Sequence, residues 1–126
     1  MVITYSRLRL SIHGSSFHCF IDNILYIYYI YCVIFDWDPK KANSNERKHK
    51  ISFEEAKSAF FDPEALLLPD EKHSEIEERF ILLGMSSRLK LLVVVHAYKK
   101  SEGSIRLISA RKANRLERGQ YEKRLQ

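Results

Sequence analysis

The sequence predicts an α+β domain in which one antiparallel sheet lies apart from its helices. Three observations lead to this prediction. Two helix patterns come early in the chain, four strand-like runs follow on short connections, and a basic helix pattern comes last. Short connections favour an antiparallel meander, because parallel strands need long crossovers. The 126 residues, 45% hydrophobic and 29% charged, fit a single domain with a buried core.

The first elements of this domain have clear start and stop signals. An apolar run over residues 33–37 predicts a short strand. A helix over Pro39–His49 should follow, with Asp38 as its N-cap and the proline in its first turn. Ser52 and Glu55 form a capping-box pattern for a second helix, which the next Asp-Pro pair ends.

The remaining elements are predicted as strands at 65–68, 79–84, 91–98 and 105–111 and a helix at 112–125. The third of these strands is apolar on both faces at its start, which is typical of a central strand. Strict alternation along the last strand groups Arg106 with Ile108 and Ala110 on one face. The sheet should therefore expose, near its strand ends, Arg79, His96, Tyr98 and Arg106.

The positive charge of the chain is concentrated at one end. The net charge is +5, from 21 basic and 16 acidic residues. Residues 104–126 hold seven of the basic and two of the acidic residues, whereas residues 34–103 hold twelve and thirteen. Because solvated faces usually mix both signs, this end predicts an anionic partner, such as nucleic acid, a membrane surface or an acidic protein.

Residues 1–33 differ from the rest in composition, with both cysteines and five of the seven tyrosines. A signal peptide would need a small-residue cleavage site, which does not follow the apolar run. A transmembrane helix would need about 20 apolar residues, and the run Ile24–Phe35 is shorter. We favour a third interpretation, in which the start is assigned too early. Residues 1–33 are then an atypical extension, and residues 34–126 form the working domain.

Several classes of site are excluded by the motifs that the sequence lacks. It contains no H-E-x-x-H, no C-x-x-C, no glycine-rich phosphate loop and no G-x-S-x-G. Its five histidines do not have the spacing of metal ligands. We therefore predict no metal site and no cofactor, which removes zinc, haem and NAD from consideration.

Short motifs follow one another in a fixed order along the chain. They include F-D-W-D-P-K-K-A at 35–42, I-S-F-E-E-A at 51–56, L-L-V-V-V-H at 91–96 and I-R-L-I-S-A-R-K-A at 105–113. This ordered series resembles the BrnT toxin family. The resemblance covers about residues 34–124. It departs from the family at Lys50, where glycine is common, and over residues 1–33, which have no counterpart.

The resemblance implies a cytoplasmic ribonuclease toxin of a type II toxin–antitoxin pair that cleaves RNA without a metal and so inhibits translation and growth. It also implies a RelE-like fold with two N-terminal helices, an antiparallel sheet and one C-terminal helix. The implied partners are an RNA substrate and a small ribbon-helix-helix antitoxin of the BrnA type, encoded by a neighbouring gene. No membrane partner is expected.

Residue type, strand face and motif match together predict the site. The predicted catalytic residues are Glu78, Arg79, His96, Arg106, Arg111 and Tyr121. Glu78 and His96 are candidates for acid or base, the arginines would stabilise the phosphorane, and Tyr121 would orient the phosphate or stack a base. The predicted contacts with the RNA backbone are Lys40, Lys41, Lys48, His49, Arg115 and Arg118.

Three structural interpretations stand beside these roles. His96 would also suit a hydrogen-bonded position at the edge of the core, which is the commoner case for such a histidine. Arg79 could make ion pairs with the adjacent glutamates, and the arginines of the last helix could form an ordinary solvated face. The whole domain could then be a non-catalytic module that binds nucleic acid or antitoxin, or a decayed inactive toxin.

Overall fold

A computed structural model describes residues 3–4, 33–73, 77–99 and 101–126. The described helices are α1 (Pro39–His49), α2 (Phe53–Ser58) and α3 (Arg115–Arg124). The described strands are β1 (Ile3–Thr4), β2 (Ile34–Asp36), β3 (Leu66–Pro69), β4 (Arg79–Met85), β5 (Leu91–Lys99) and β6 (Ser104–Lys112). Of the first 32 residues only Ile3 and Thr4 are described, so the predictions for this segment lie outside the described residues. No described helix is long and apolar enough to cross a membrane.

The strands form one sheet in the order β1-β3-β4-β5-β6-β2. Strands β3 to β6 form the antiparallel meander that the short connections predict, and β1 pairs antiparallel with β3. Strand β2 departs from the prediction because it pairs parallel with β6. The expectation of a wholly antiparallel sheet is therefore wrong, and the sheet is mixed. A parallel pair needs a long connection, and everything from α1 to β5 lies between these two strands.

The helices begin largely where their capping residues predict. Asp38 accepts a hydrogen bond from the amide of Lys40 (2.9 Å), and Ser52 Oγ accepts one from the amide of Glu55 (3.1 Å). The complete capping box lies at α3 instead, between Asn114 and Glu117. Helix α3 consequently starts after this cap rather than at residue 112, which is still the last residue of β6.

The two faces of the sheet carry separate apolar clusters. One face, here the α1/α2 face, packs residues such as Leu82, Leu92 and Val94 against α2 and the turn that follows it. The other, here the α3 face, packs Leu83 and Val93 against α3. Because neighbouring residues of a strand point to opposite faces, each central strand contributes to both clusters. Helices α1 and α2 therefore lie on the opposite side of the sheet from α3.

An irregularity in the pairing of β5 with β6 changes which residues of β6 share a face. Val95 lies opposite Ser109 and the next residue, His96, lies opposite Leu107, so Ile108 is an extra residue in β6. Such a β-bulge reverses the alternation on its two sides. The face assignment made from strict alternation is therefore wrong for the second half of this strand.

The bulge brings two arginines of β6 to the same side. Arg106 lies opposite Ala97 and Arg111 opposite Val93, which are both on the α3 face. Leu107 and Ala110 of the same strand belong to the cluster on the α1/α2 face. Without the extra residue, two positions that are five residues apart would point to opposite faces.

The buried side chain of Asn45 ties α1 to the outer edge of β6. Strand β2 covers only Ser104 to Arg106, so the edge of β6 beyond it has no strand partner among the described residues. There Asn45 Nδ2 donates to the carbonyl of Ala110 (2.8 Å), and Asn45 Oδ1 accepts from the amide of Ala110 (3.0 Å). The same Nδ2 also donates to the carbonyl of Ile51 (3.1 Å). One amide side chain thus replaces a missing strand residue.

Replacing Asn45 by alanine should lower the free energy of unfolding by about 2–4 kcal/mol, because three hydrogen bonds are lost and buried backbone groups stay unsatisfied. Urea unfolding of the full chain measures the change. Asn43→Ala is the matched control, since Asn43 lies on the same helix with an exposed side chain. Equal unfolding midpoints for the two variants would contradict the role given to Asn45.

Candidate functional site

Two arginines converge on one carboxylate on the α3 face. Arg79 and Arg106 both lie opposite Ala97, which separates them on the central strand β5. Glu77 Oε1 accepts hydrogen bonds from Nε (3.3 Å) and Nη2 (3.2 Å) of Arg79. Arg106 Nη2 lies 2.6 Å from both oxygens of the same carboxylate. These three residues, here called the Glu77 cluster, have side chains between 26% and 36% exposed, so a ligand can reach them.

A third guanidinium group is fixed farther along the same face. Arg111 Nη1 and Nη2 donate to the two oxygens of Glu117 at 2.9 and 2.8 Å, which is a bidentate pair. The hydrogen bond from Arg111 lowers the pKa of the Glu117 carboxyl, and the same bond raises the pKa of Arg111. Because Glu117 also belongs to the capping box of α3, the end of β6 and the start of α3 are joined through this pair.

A groove of about 320 Å³ lies between α3 and the sheet beside Arg111. Its floor on the sheet is apolar, and its rim on α3 carries exposed and polar groups. The lining residues include Leu68, Ile81, Leu83, Val93, Arg111, Leu116 and Gln120. An apolar floor beside guanidinium groups suits a ligand that has both flat apolar parts and anionic groups.

The chemistry of the Glu77 cluster is that of an anion site. A carboxylate presents two acceptor oxygens and one negative charge, and a phosphodiester presents the same number of non-bridging oxygens with the same charge. Guanidinium groups bind either one in a planar, forked geometry. Donors fixed in this way also stabilise charge that develops during a reaction.

Among the described residues, no group of three or more His, Cys, Asp or Glu side chains is placed to hold a metal ion.

His96 lies away from these arginines, in the core of the α1/α2 face. Its side chain is 1% exposed, so the expectation of an exposed histidine near the strand end is wrong. The ring lies edge-on to Phe60 with centroids 4.8 Å apart and stacks on Phe80 at 6.1 Å, and Nδ1 is 3.3 Å from the carbonyl of Val94. The structure therefore matches the alternative interpretation, a hydrogen-bonded histidine of the core.

Tyr121 is also buried, with 5% of its surface exposed. Its hydroxyl donates to Asp62 Oδ2 at 2.6 Å, and the same oxygen accepts from the amide of Met85 at 2.8 Å. Burial and the neighbouring Asp62 carboxylate raise the pKa of Tyr121 above its ordinary value. In this position the hydroxyl holds α3 against the loop after α2 and does not point its proton at a ligand.

Glu78 is exposed and directly precedes β4. Its carbonyl accepts a hydrogen bond from the amide of Tyr98 (3.3 Å), which continues the pairing of β4 with β5. Because Glu78 is one residue out of phase with Arg79, alternation assigns its side chain to the other face. Of the predicted catalytic set, the structure thus places Arg79, Arg106 and Arg111 on one face of the sheet. It buries His96 on the other face and pairs the hydroxyl of Tyr121 with Asp62.

The predicted RNA-backbone contacts divide between the two sides of the sheet. Lys40, Lys41, Lys48 and His49 are exposed on α1. Arg115 and Arg118 are exposed on α3, close in the chain to Arg111. Since α1 and α3 lie on opposite sides of the sheet, only the two arginines of α3 share a side with the Glu77 cluster.

Two carboxylates that organise the site, Glu77 and Glu117, were not predicted from the sequence. Glu77 stands two residues before Arg79, so continuing the strand alternation by one step would have placed it beside that arginine. Asn114 and Glu117 have the N-x-x-E spacing of a capping box. Together with the arginine three residues before the cap, this spacing was a detectable signal for the second ion pair.

The burial of His96 predicts a stability that depends on pH. Burial lowers the pKa of His96 from 6.5 to about 4, so the unfolded chain binds a proton more readily than the folded one. The contribution, about 3 kcal/mol, is present above pH 6.5 and is lost as the pH falls towards 4. Urea unfolding at several pH values should show this slope in the wild-type chain.

His96→Phe should remove most of the slope, since phenylalanine keeps a ring in the aromatic cluster but does not titrate. His49→Gln is the control, because His49 is exposed. Carboxyl groups such as Glu117 contribute a slope of the same sign at lower pH, which remains in both variants. An unchanged slope in His96→Phe would contradict the prediction.

Comparison with protein families gives a match over most of the domain. The family model described as the ribonuclease toxin BrnT of type II toxin–antitoxin systems matches residues 37–117, which is more than half of the chain. No curated protein matches the chain. The matched range contains the Glu77 cluster, together with Arg111 and Glu117.

Proposed function

The chain belongs to the BrnT family of ribonuclease toxins of type II toxin–antitoxin systems, and from this premise we propose that residues 34–126 form a metal-independent endoribonuclease. The observation that carries the proposal is the convergence of Arg79 and Arg106 on a single carboxylate. Cleavage of cellular RNA by this site would inhibit translation and growth.

The arginines supply the positive charge that the reaction requires. When the 2′-oxygen of RNA attacks phosphorus, negative charge gathers on the two non-bridging oxygens. Arg79 and Arg106 already converge on one anion of similar charge, so a phosphate that binds beside Glu77 meets guanidinium groups that are already oriented. Fixed cations in a partly desolvated site are worth more than the same charges in water. This is why we propose that no metal is required.

The RNA strand would lie across the α3 face. Arg111 would contact a second phosphate or help to neutralise the first, and the exposed Arg115 and Arg118 would bind the backbone without reading sequence. The lysines and His49 of α1 are proposed to contribute only distant contacts, because they lie on the other side of the sheet. His96 and Tyr121 are proposed to support the sheet and α3 rather than to touch RNA.

The fold and partner follow from the same premise. We propose a RelE-like arrangement, supported by two helices before the meander and one after it. The proposed partner is a ribbon-helix-helix antitoxin of the BrnA type, which neutralises the toxin in the cytoplasm and represses the shared operon. Acidic side chains of such a protein would compete for the guanidinium groups of the α3 face and would then exclude RNA.

Arginine variants test the site. Arg79→Ala and Arg106→Ala should each lower the rate of RNA cleavage by about 100-fold or more, since each removes a cation from the phosphate. Growth arrest on expression and cleavage of a labelled RNA by the purified chain are the two measurements. Lys41→Ala is the control on the opposite side of the sheet, and it should stay within about twofold of wild type. Full toxicity in both arginine variants would remove the site.

Chelation tests the proposed independence from metals. Purified protein incubated with total RNA in excess EDTA should cleave at the same rate as without EDTA, because the arginines carry the charge of the transition state. Loss of cleavage that added Mg²⁺ restores would contradict the proposal. Binding of RNA without cleavage in either buffer would instead support a non-catalytic binding module or a decayed toxin.

A further inference from the structure

We propose that Glu77 is the general base of the α3 face, which takes the proton from the attacking 2′-hydroxyl of RNA. This inference rests on the proposed ribonuclease function and supplies the acid–base group that the arginines lack. The sequence predicts Glu78 or His96 for this role. His96 is buried on the α1/α2 face, and alternation assigns the side chain of Glu78 to the same face.

Glu77 lies next to both groups that would bind the phosphate. Both guanidinium groups that would bind the phosphate contact its carboxylate, at 2.6 Å from Arg106 and 3.2 Å from Arg79. A phosphate bound by these two arginines would therefore lie beside Glu77. A base must be within hydrogen-bond reach of the proton that it removes, and the 2′-hydroxyl is attached next to the reacting phosphate.

Arg106 holds Glu77 through one of its three guanidinium nitrogens. In the described part of the chain, the hydrogen bonds of this arginine all run from Nη2 to Glu77. A guanidinium group has five N–H donors in a fixed fork, so Nε and Nη1 can bind phosphate oxygens while Nη2 keeps the carboxylate in place. Substrate and base can thus share the same arginine without displacing each other.

The Glu77 cluster is partly exposed, so RNA can reach it. The side chain of Glu77 is 26% exposed, which leaves an open approach for RNA while the arginines restrict its orientation. By comparison, His96 is 1% exposed and faces the other side of the sheet. A group that reacts with a polymer must be reachable from the surface, and Glu77 meets this condition.

The proposed step is a transesterification. An oxygen of Glu77 accepts the proton of the 2′-hydroxyl, the 2′-oxygen forms a bond to phosphorus, and the bond from phosphorus to the 5′-oxygen breaks. The departing 5′-oxygen takes a proton from water, and Glu77 returns its proton to the solvent. The products are a 2′,3′-cyclic phosphate and a 5′-hydroxyl end.

The full-length variant Glu77→Gln tests this role, with single-stranded RNA as the probe. Glutamine keeps the shape and can accept hydrogen bonds from both arginines, but it is not a base. The expected result is a loss of kcat of about 100- to 10,000-fold. The KM should stay within a few-fold of wild type, because the arginines still bind the phosphate. In Glu77→Asp, kcat should be partly restored.

The matched control is Glu64→Gln, which removes the charge of another glutamate paired with an arginine, Arg124 (3.4 Å). It should leave kcat unchanged, and urea unfolding should show that both variants are folded.

Two results would overturn the inference. If Glu77→Gln retains the wild-type kcat, or loses activity only through KM, then Glu77 positions the arginines and is not the base. If the wild-type chain cleaves RNA but yields no 2′,3′-cyclic phosphate, the transesterification and its base fail, whereas binding without any cleavage means that the proposed function itself fails. RNA with a single 2′-deoxy nucleotide at the cleaved position separates the cases, because it should bind normally and resist cleavage.

Discussion

The β-bulge at Ile108 determines which side chains meet on the α3 face. Strand β6 has to bury Leu107 and Ala110 under α1 and α2, and it also has to present two arginines on the opposite side. Regular alternation cannot satisfy both demands, since Arg106 and Arg111 are five positions apart, which is an odd number. One extra residue resolves the conflict at the cost of a local break in the ladder. The spacing of cations on this face thus depends on a backbone irregularity.

Strand β6, which carries the bulge, is fixed along both of its edges and at its C-terminal end. Strand β5 pairs along one edge, while β2 and the amide of Asn45 share the other edge. Its end is fixed to α3 through the bidentate pair of Arg111 with Glu117. Long cationic side chains normally lose considerable rotamer freedom when they bind an anion. Here carboxylates fix them before a ligand arrives, so much of that loss has already occurred on folding.

Local features of the fold could be predicted from the sequence, because their causes lie within a few residues. Asp38 and Ser52 begin helices through side chains that reach amides two or three residues away. The limits of β4 to β6 were predicted to within about two residues, since apolar runs and turns mark them. The excess of basic residues over 104–126 likewise indicated the end of the chain that supplies Arg106 and Arg111 to the α3 face.

The features that were missed depend on contacts between distant parts of the chain. The parallel pairing of β2 with β6 joins residues about 70 positions apart, and no local pattern encodes it. The bulge follows from competition between the two faces of β6, which appears only when both clusters are assembled. His96 resembled a site residue because an imidazole at a strand end is often exposed, whereas Phe60 and Phe80 enclose it here.

Strand β2 is the first strand of residues 34–126 and pairs with the last strand, β6. This pairing also sets the order in which the domain can fold. Strand β2 is synthesised early and remains without its neighbour until β6 has left the ribosome, so this edge of the sheet forms late. Arg106, Arg111 and Glu117 all lie in this final segment. A nascent chain therefore lacks Arg106 and Arg111, and with them a complete site, for most of its synthesis. Contacts of such high sequence separation also slow folding, which lengthens the interval before the site exists.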